Sequence, residues 1–279
     1  MRLTIRDIQN MKAEREKIVL LTAYDAFSAR VSEAAGVPAL LVGDSLGMVV
    51  QGHNSTIPVT LEQMIYHCEI VARVTERPLI IGDMPFMSYN ISPEQALTNA
   101  GRFLQEARVS CVKLEGGEHI APTIARIVQN GIPVMAHIGL TPQSVNQFGG
   151  FRVQGRQIDE ARQLVRDAEA VQAAGAFAVV LELVPTELAK LISERLRIPT
   201  IGIGAGPYCD GQVQVFYDLL GMFPGFLPKH SRRFAGVGDV AQAAIAQYMN
   251  DVQAEQFPTA ENSFAMGEDV LRALVKALG

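Results

Sequence analysis

At 279 residues the chain is long for one ordinary domain, but it fits a (β/α)8 barrel, which takes about 250. Hydrophobic residues at 48% and charged residues at 19% argue for a well-buried core and against disorder. A net charge of −5, no Trp and only 6% aromatics argue against nucleic acid or an anionic membrane as the main partner.

The first segment, 1–17, opens on the capping-box-like Thr4-Ile5-Arg6-Asp7 and predicts a short helix. It lacks a signal-peptide apolar core, and no apolar run in the chain reaches the roughly 18 residues of a membrane span. Apolar runs rich in Val, Ile and Leu then recur at 18–24, 39–44, 79–85, 111–116, 133–140, 178–183 and 199–206. Such runs suit parallel strands buried on both faces. Helical patterns lie between them at 62–73, 93–107, 120–129, 159–174 and 187–196, and several segments exit through glycine (Gly36, Gly131, Gly175). An eighth, weaker strand is expected at 225–229. The count favours a closed (β/α)8 TIM barrel, with an open doubly wound sheet as the alternative.

After about residue 230 the alternation stops. Segments 240–252 and 269–278 read as helices, so 231–279 is expected to be a helical extension of a single domain, 1–279, with no interdomain linker. The last helix carries Val270, Leu271, Leu274, Val275 and Leu278 on one face. Either the barrel or another subunit should cover that stripe. Three widely spaced cysteines, Cys68, Cys111 and Cys209, fit a reducing cytoplasm better than a disulfide framework.

Polar residues gather where the strands end. The runs finish at Asp44, Asp83, Glu115, His137 and Glu182, and Lys113 lies two before Glu115, on the same strand face. In a β/α barrel the C-terminal strand ends form the active-site face. Each residue alone has a structural reading. A lone Asp can cap a helix, as Asp25 is expected to do; Lys113 and Glu115 could form an ion pair closing the barrel top; His137 could be a structural histidine. Four carboxylates at successive strand ends are harder to explain by capping, and burying them unpaired would cost several kcal/mol each. An acidic set suits a hard cation, Mg2+ by default. No zinc spacing, Walker motif, nucleophile elbow or cysteine nucleophile pair is present, and Pro207 stands where a Rossmann fingerprint after Gly204 needs glycine. Gly202, Gly204 and Gly206 instead read as a strand exit where backbone passes close to a neighbour. Two polar, glycine-rich loops without helical period, 45–60 and 139–156, complete the same rim.

These residues carry a resemblance. Gly43-Asp44-Ser45-Leu46-Gly47-Met48 followed by Gln51-Gly52-His53, Asp83-Met84-Pro85-Phe86-Met87, Val112-Lys113-Leu114-Glu115-Gly116-Gly117, His137-Ile138-Gly139-Leu140-Thr141-Pro142-Gln143, Gln154-Gly155-Arg156, Leu181-Glu182 and the Gly202–Gly206 run resemble, in order, the ketopantoate hydroxymethyltransferase family over about residues 20–235. The resemblance implies a Mg2+-dependent barrel that moves a hydroxymethyl group from 5,10-methylenetetrahydrofolate to 3-methyl-2-oxobutanoate. The product would be 2-dehydropantoate, on the way to pantothenate and coenzyme A. It further implies Asp44 and Asp83 as metal ligands, with Glu115 in the same site. Asp44, Ser45, Asp83 and Lys113 would contact the 2-oxoacid, Glu182 would accept the proton, and His137 would support the site. Members are typically homodecamers. The chain departs from the family at Tyr217-Asp218, where His commonly precedes Asp, and in a longer segment after Ser263-Phe264.

The chemistry asks for this division of labour. A 2-oxoacid chelates a metal through its keto and carboxylate oxygens, and the base that removes the C3 proton must not itself be held on the metal. Two rival readings stand beside it: a lyase or mutase of the phosphoenolpyruvate mutase and isocitrate lyase kind, which would need a cysteine-containing loop this chain lacks, and a non-catalytic barrel.

Overall fold

The computed structural model describes residues 1–279 except 224 and 226. Eight parallel strands close into a barrel in sequence order, as the alternation predicts. They are β1 (Ile18–Thr22), β2 (Ala39–Val42), β3 (Leu79–Asp83), β4 (Cys111–Glu115), β5 (Val134–Gly139), β6 (Ala178–Glu182), β7 (Thr200–Ile203) and β8 (Gly211–Gln214).

Side chains of alternate residues fill the barrel. Ile18, Leu20, Leu41, Leu79, Ile81, Cys111, Met135, Val180 and Val213 belong to one inner cluster, while Leu40, Ile80, Val112 and Leu114 take the opposite parity. Following the inward parity to the strand ends reaches Asp83 on β3, Lys113 and Glu115 on β4, His137 on β5 and Glu182 on β6. The ladder sets Asp83 opposite Lys113, Glu115 opposite His137 and Gly139 opposite Glu182. Period two and register together therefore place the polar residues in one layer above the apolar core.

The predicted N-terminal helix, Ile5–Ala13, starts at a capping box between Thr4 and Asp7. Ile8 is buried in the inner cluster, with Leu3, Ile5 and Met11 packed against it, so the helix closes the end of the barrel opposite the polar layer. Burying one such Ile stabilises by roughly 1.5–3 kcal/mol. Lys12 fixes the helix there through Asp210 at 2.9 Å and the carbonyls of Ser193 and Ile198.

The other predicted helices appear at Leu61–Val74, Pro93–Gln105, Ala121–Val128, Ile158–Ala173 and Thr186–Arg195. Asp25 caps the helix Ala26–Ala34 by accepting from Ser28 N at 2.7 Å. The loops expected to lack helical period each hold one turn of helix, Leu46–Val49 and Val145–Phe148. Four residues are too few to display a period.

One strand assignment needs correction. The eighth strand is Gly211–Gln214, not 225–229, a stretch that includes residue 226 outside the described residues. The link from β7 covers only 204–210, too short for a crossover helix, and Gly-Gln-Val-Gln carries a single large apolar side chain. Gly211 is required by packing: a Cβ there would stand 2.3 Å from Ile18 O on β1. A cavity of about 500 Å3 lies beside Lys17, Val19, Gly206, Gln212 and His230.

The chain divides into two compact units, 1–219 with 227–232, and 220–226 with 233–279. The first holds the barrel. The second holds the tail helices, Val237–Gln253 and Glu268–Leu278. Within it Arg233 donates to the carbonyls of Phe223 and Gly225, and the rings of Tyr248 and Phe257 meet edge to face. The stripe Val270, Leu271, Leu274, Val275 and Leu278 is exposed. Among the described residues no helix is long and apolar enough to cross a membrane.

Candidate active site

The polar layer is a continuous network. Lys113 Nζ lies 2.6 Å from Asp83 Oδ1, with the two side chains 4% and 2% exposed. Lys113 thus pairs across the ladder with Asp83, and the ion pair with Glu115 considered from sequence does not form. Asp83 Oδ2 accepts from the backbone N of Asp44 at 3.1 Å, tying the exit of β2 to β3. Ser45, next in the chain, shares a hydrogen bond with Tyr24 OH at 2.8 Å.

A second branch runs through Gln143, in the turn Pro142–Ser144 after β5. Its Nε2 donates to Asp44 Oδ2 at 2.9 Å and to Met84 O at 3.0 Å. Its Oε1 accepts from Tyr89 OH at 2.6 Å, and its backbone N donates to Glu115 Oε2 at 3.0 Å. The remaining oxygen, Glu115 Oε1, is buried without a hydrogen bond. His137 stands between Glu115, 3.4 Å from Nδ1, and Glu182, 3.3 Å from Nε2. Neither ring nitrogen makes a well-angled hydrogen bond, so these are ion-pair contacts.

The structure thus brings Asp44, Ser45, Asp83, Lys113, Glu115, His137 and Glu182 into one cluster. Sequence reasoning did not single out Gln143, Tyr89 or Tyr24. Gln143 lies inside a motif that carried the resemblance, but its reach across the barrel mouth has no periodic signal, and Tyr89 stands alone in an irregular loop.

Four carboxylates face one lysine and one histidine, and the electrostatics follow. Burial, then Asp83 and Glu115, push the Asp44 carboxyl well above the usual carboxylate range. For Lys113 burial opposes the charge, yet Asp83, Glu115 and Asp44 outweigh it and hold the ammonium protonated beyond its ordinary range. For His137 burial and Lys113 both disfavour the imidazolium, but Glu115 and Glu182 raise its pKa to about 9.

A pH dependence results for the protein held in chelator. His137 has a folded value of about 9 against an ordinary 6.5, so its contribution is fully present below the lower value and lost as pH rises through the higher. The size is on the order of 3 kcal/mol. Asp44 acts in the same direction, because its folded form also retains a proton that the unfolded chain releases. Thermal unfolding scanned from about pH 6 to about pH 10 should show a falling Tm, and His137→Gln should flatten the slope. A Tm that rises over this range would contradict the assignment of charge.

Four carboxylates against one lysine and one histidine, an acid pushed towards protonation by its neighbours, and a Glu115 oxygen without a hydrogen bond, faced only by His137 at 3.4 Å, fit a further positive charge at this place. Among the described residues no three His, Cys, Asp or Glu side chains converge tightly enough to enclose an ion by themselves. Mg2+ does not require three protein ligands, since it keeps several waters and binds through one or two carboxylates plus substrate oxygens.

Comparison with known proteins is consistent over nearly the whole chain. The family model for ketopantoate hydroxymethyltransferase matches residues 2–260. A 3-methyl-2-oxobutanoate hydroxymethyltransferase of Chloroflexus aurantiacus is 59% identical over 98% of this chain and 96% of its own length. One of Dehalococcoides mccartyi is 53% identical over 100% of both. Among solved structures, 2,3-dimethylmalate lyase, of the PEP mutase/isocitrate lyase superfamily, superposes with a TM-score of 0.60 at 19% identity, covering 100% of this chain and 98% of that one. At that identity the likeness is one of fold.

Proposed function

The chain belongs to the ketopantoate hydroxymethyltransferase family, and from that premise we propose that it transfers a hydroxymethyl group from 5,10-methylenetetrahydrofolate to 3-methyl-2-oxobutanoate, giving 2-dehydropantoate for pantothenate and coenzyme A biosynthesis. The observation that carries the reading is the separation of acids. Asp44, Asp83 and Glu115 sit with Lys113 on one side of the barrel mouth, and Glu182 stands beyond His137 on the other.

Asp44 and Asp83, with Glu115 directly or through water, would hold Mg2+. When bound, the ion supplies a Lewis acid that draws charge from the keto oxygen of the 2-oxoacid and makes C3 more acidic. Lys113 spends one of its N–H donors on Asp83 and keeps two for the substrate carboxylate, to which the Ser45 hydroxyl adds another. Glu182 then takes the C3 proton, and the electron pair left on carbon attacks the methylene carbon of the folate; both C–N bonds to that carbon break, a water supplies the hydroxyl oxygen, and the C3 proton and one water proton end on the two nitrogens of tetrahydrofolate. Met48, Phe86, Met87 and Phe151 are exposed on the loops after β2, β3 and β5, and offer apolar faces to a pterin. The exposed stripe on Glu268–Leu278 supports assembly with further copies of this chain, for which a homodecamer is the expectation. Composition and the three free cysteines support a cytoplasmic enzyme.

Loss of the C3 proton of 3-methyl-2-oxobutanoate in D2O tests this reading. Exchange should proceed without folate, stop on chelation and return with Mg2+, while net product forms only with the folate. Exchange indifferent to chelator would remove the metal from the mechanism, and turnover of the 2-oxoacid to a different product without folate would favour the lyase or mutase reading.

A further inference from the structure

We infer that Gln143 is a positioning residue that decides which carboxylate oxygens the barrel mouth presents to a cation. Its side-chain amide is saturated: both N–H groups are used, on Asp44 Oδ2 and Met84 O, and its oxygen is held by the Tyr89 hydroxyl at 2.6 Å. The amide therefore has one orientation. Turned over, it would set its oxygen against the Asp44 carboxylate and the Met84 carbonyl, and its NH2 against the Tyr89 hydroxyl, which itself accepts from Glu115 N at 3.2 Å.

The same residue acts on a second acid through its main chain, donating to Glu115 Oε2. One oxygen of Asp44 and one of Glu115 are thus engaged by a single buried residue from another strand exit, which leaves Asp44 Oδ1, and Glu115 Oε1 with only the His137 contact at 3.4 Å, to face the ion. Carboxylates limited to one oxygen in this way would hold the ion through single oxygens, directly or through water, the mode that suits Mg2+. Met84 anchors the arrangement from the other side, since its own N donates to Lys113 O at 2.9 Å and joins the Gln143 bond to the β4 strand. Partners that orient ligands in this way commonly set metal affinity by 10–100-fold, about the size expected here.

This assignment rests on the cation reading above, and its test separates the two. Binding of Mn2+, as a paramagnetic stand-in for Mg2+, is measured by electron paramagnetic resonance on the folded protein without substrate. Wild type should bind one ion per chain, and Gln143→Leu, similar in volume, should bind about 10–100-fold more weakly at comparable thermal stability. Tyr89→Phe keeps Gln143 but frees its amide to turn, and should weaken binding by a smaller factor, about tenfold at most. If wild type takes up no Mn2+, the cation reading falls and this assignment with it. If wild type binds and a folded Gln143→Leu binds equally well, the assignment alone is overturned. Should Gln143→Leu fail to fold, Tyr89→Phe decides, and unchanged affinity there overturns the role given to Gln143.

Discussion

Lys113→Met is expected to destabilise the metal-free protein by about 3–5 kcal/mol and to reduce turnover to background. The methionine matches the lysine stem in length, so packing changes little; what is lost is the charge. Asp83, 2% exposed and paired at 2.6 Å, then keeps only the Asp44 backbone N–H as a partner. An unpaired buried carboxylate either bears the full desolvation penalty or takes up a proton. Proton uptake means a folded-state pKa raised above the unfolded one, so the variant should lose stability progressively as pH rises above the usual carboxylate range. Denaturant unfolding at about pH 5 and about pH 8 measures that difference, which should be larger in the variant than in wild type. Adding Asp83→Asn to Lys113→Met removes the orphaned charge and should restore much of the stability without restoring activity. A single variant as stable as wild type at both pH values would show that the pair does not hold the barrel mouth together.

The barrel and most of its polar layer could be read from sequence for one physical reason. Strands buried on both faces must be apolar almost throughout, so a polar residue inside or just after such a run is conspicuous, and period two tells which ones share a face. Lys113 and Glu115 were placed together by that argument, and register then added His137 and Asp83. β8 escaped because it violates the premise. With Gln212 and Gln214 on the half-exposed parity and no crossover helix before it, Gly211–Gln214 leaves no apolar run to find. Gln143 and Tyr89 escaped for a different reason. Their importance lies in hydrogen bonds spanning 99 and 54 positions along the chain, made from irregular turns where no period constrains direction. The exposed face of the last helix was visible as a stripe, but a stripe records only that something covers it.

Glu182→Gln should keep substrate and Mn2+ binding and lose C3 exchange by about 10²–10⁴-fold, the usual contribution of a placed general base. The substitution preserves shape and leaves an acceptor, but the amide cannot take up a proton near neutral pH. Backbone geometry makes this comparison clean, because the position of residue 182 does not depend on its side chain. Its carbonyl accepts from Leu140 N at 2.8 Å, and Gly139 opposite is required there, since a Cβ would stand 2.3 Å from that same oxygen. Leu183 follows with a positive φ of 46°, a conformation costly for a leucine and retained where the chain must turn at once after the strand. One consequence reaches beyond the reacting carbon. His137 is held charged by Glu115 and Glu182 together, so the glutamine variant should lower its pKa from about 9 and shift the stability slope to lower pH. The two readouts therefore separate roles. Lost exchange with intact Mn2+ binding assigns Glu182 to proton transfer; exchange at the wild-type rate would hand that role to another group. If both disappear together, Glu182 belongs instead with the acids that hold the ion.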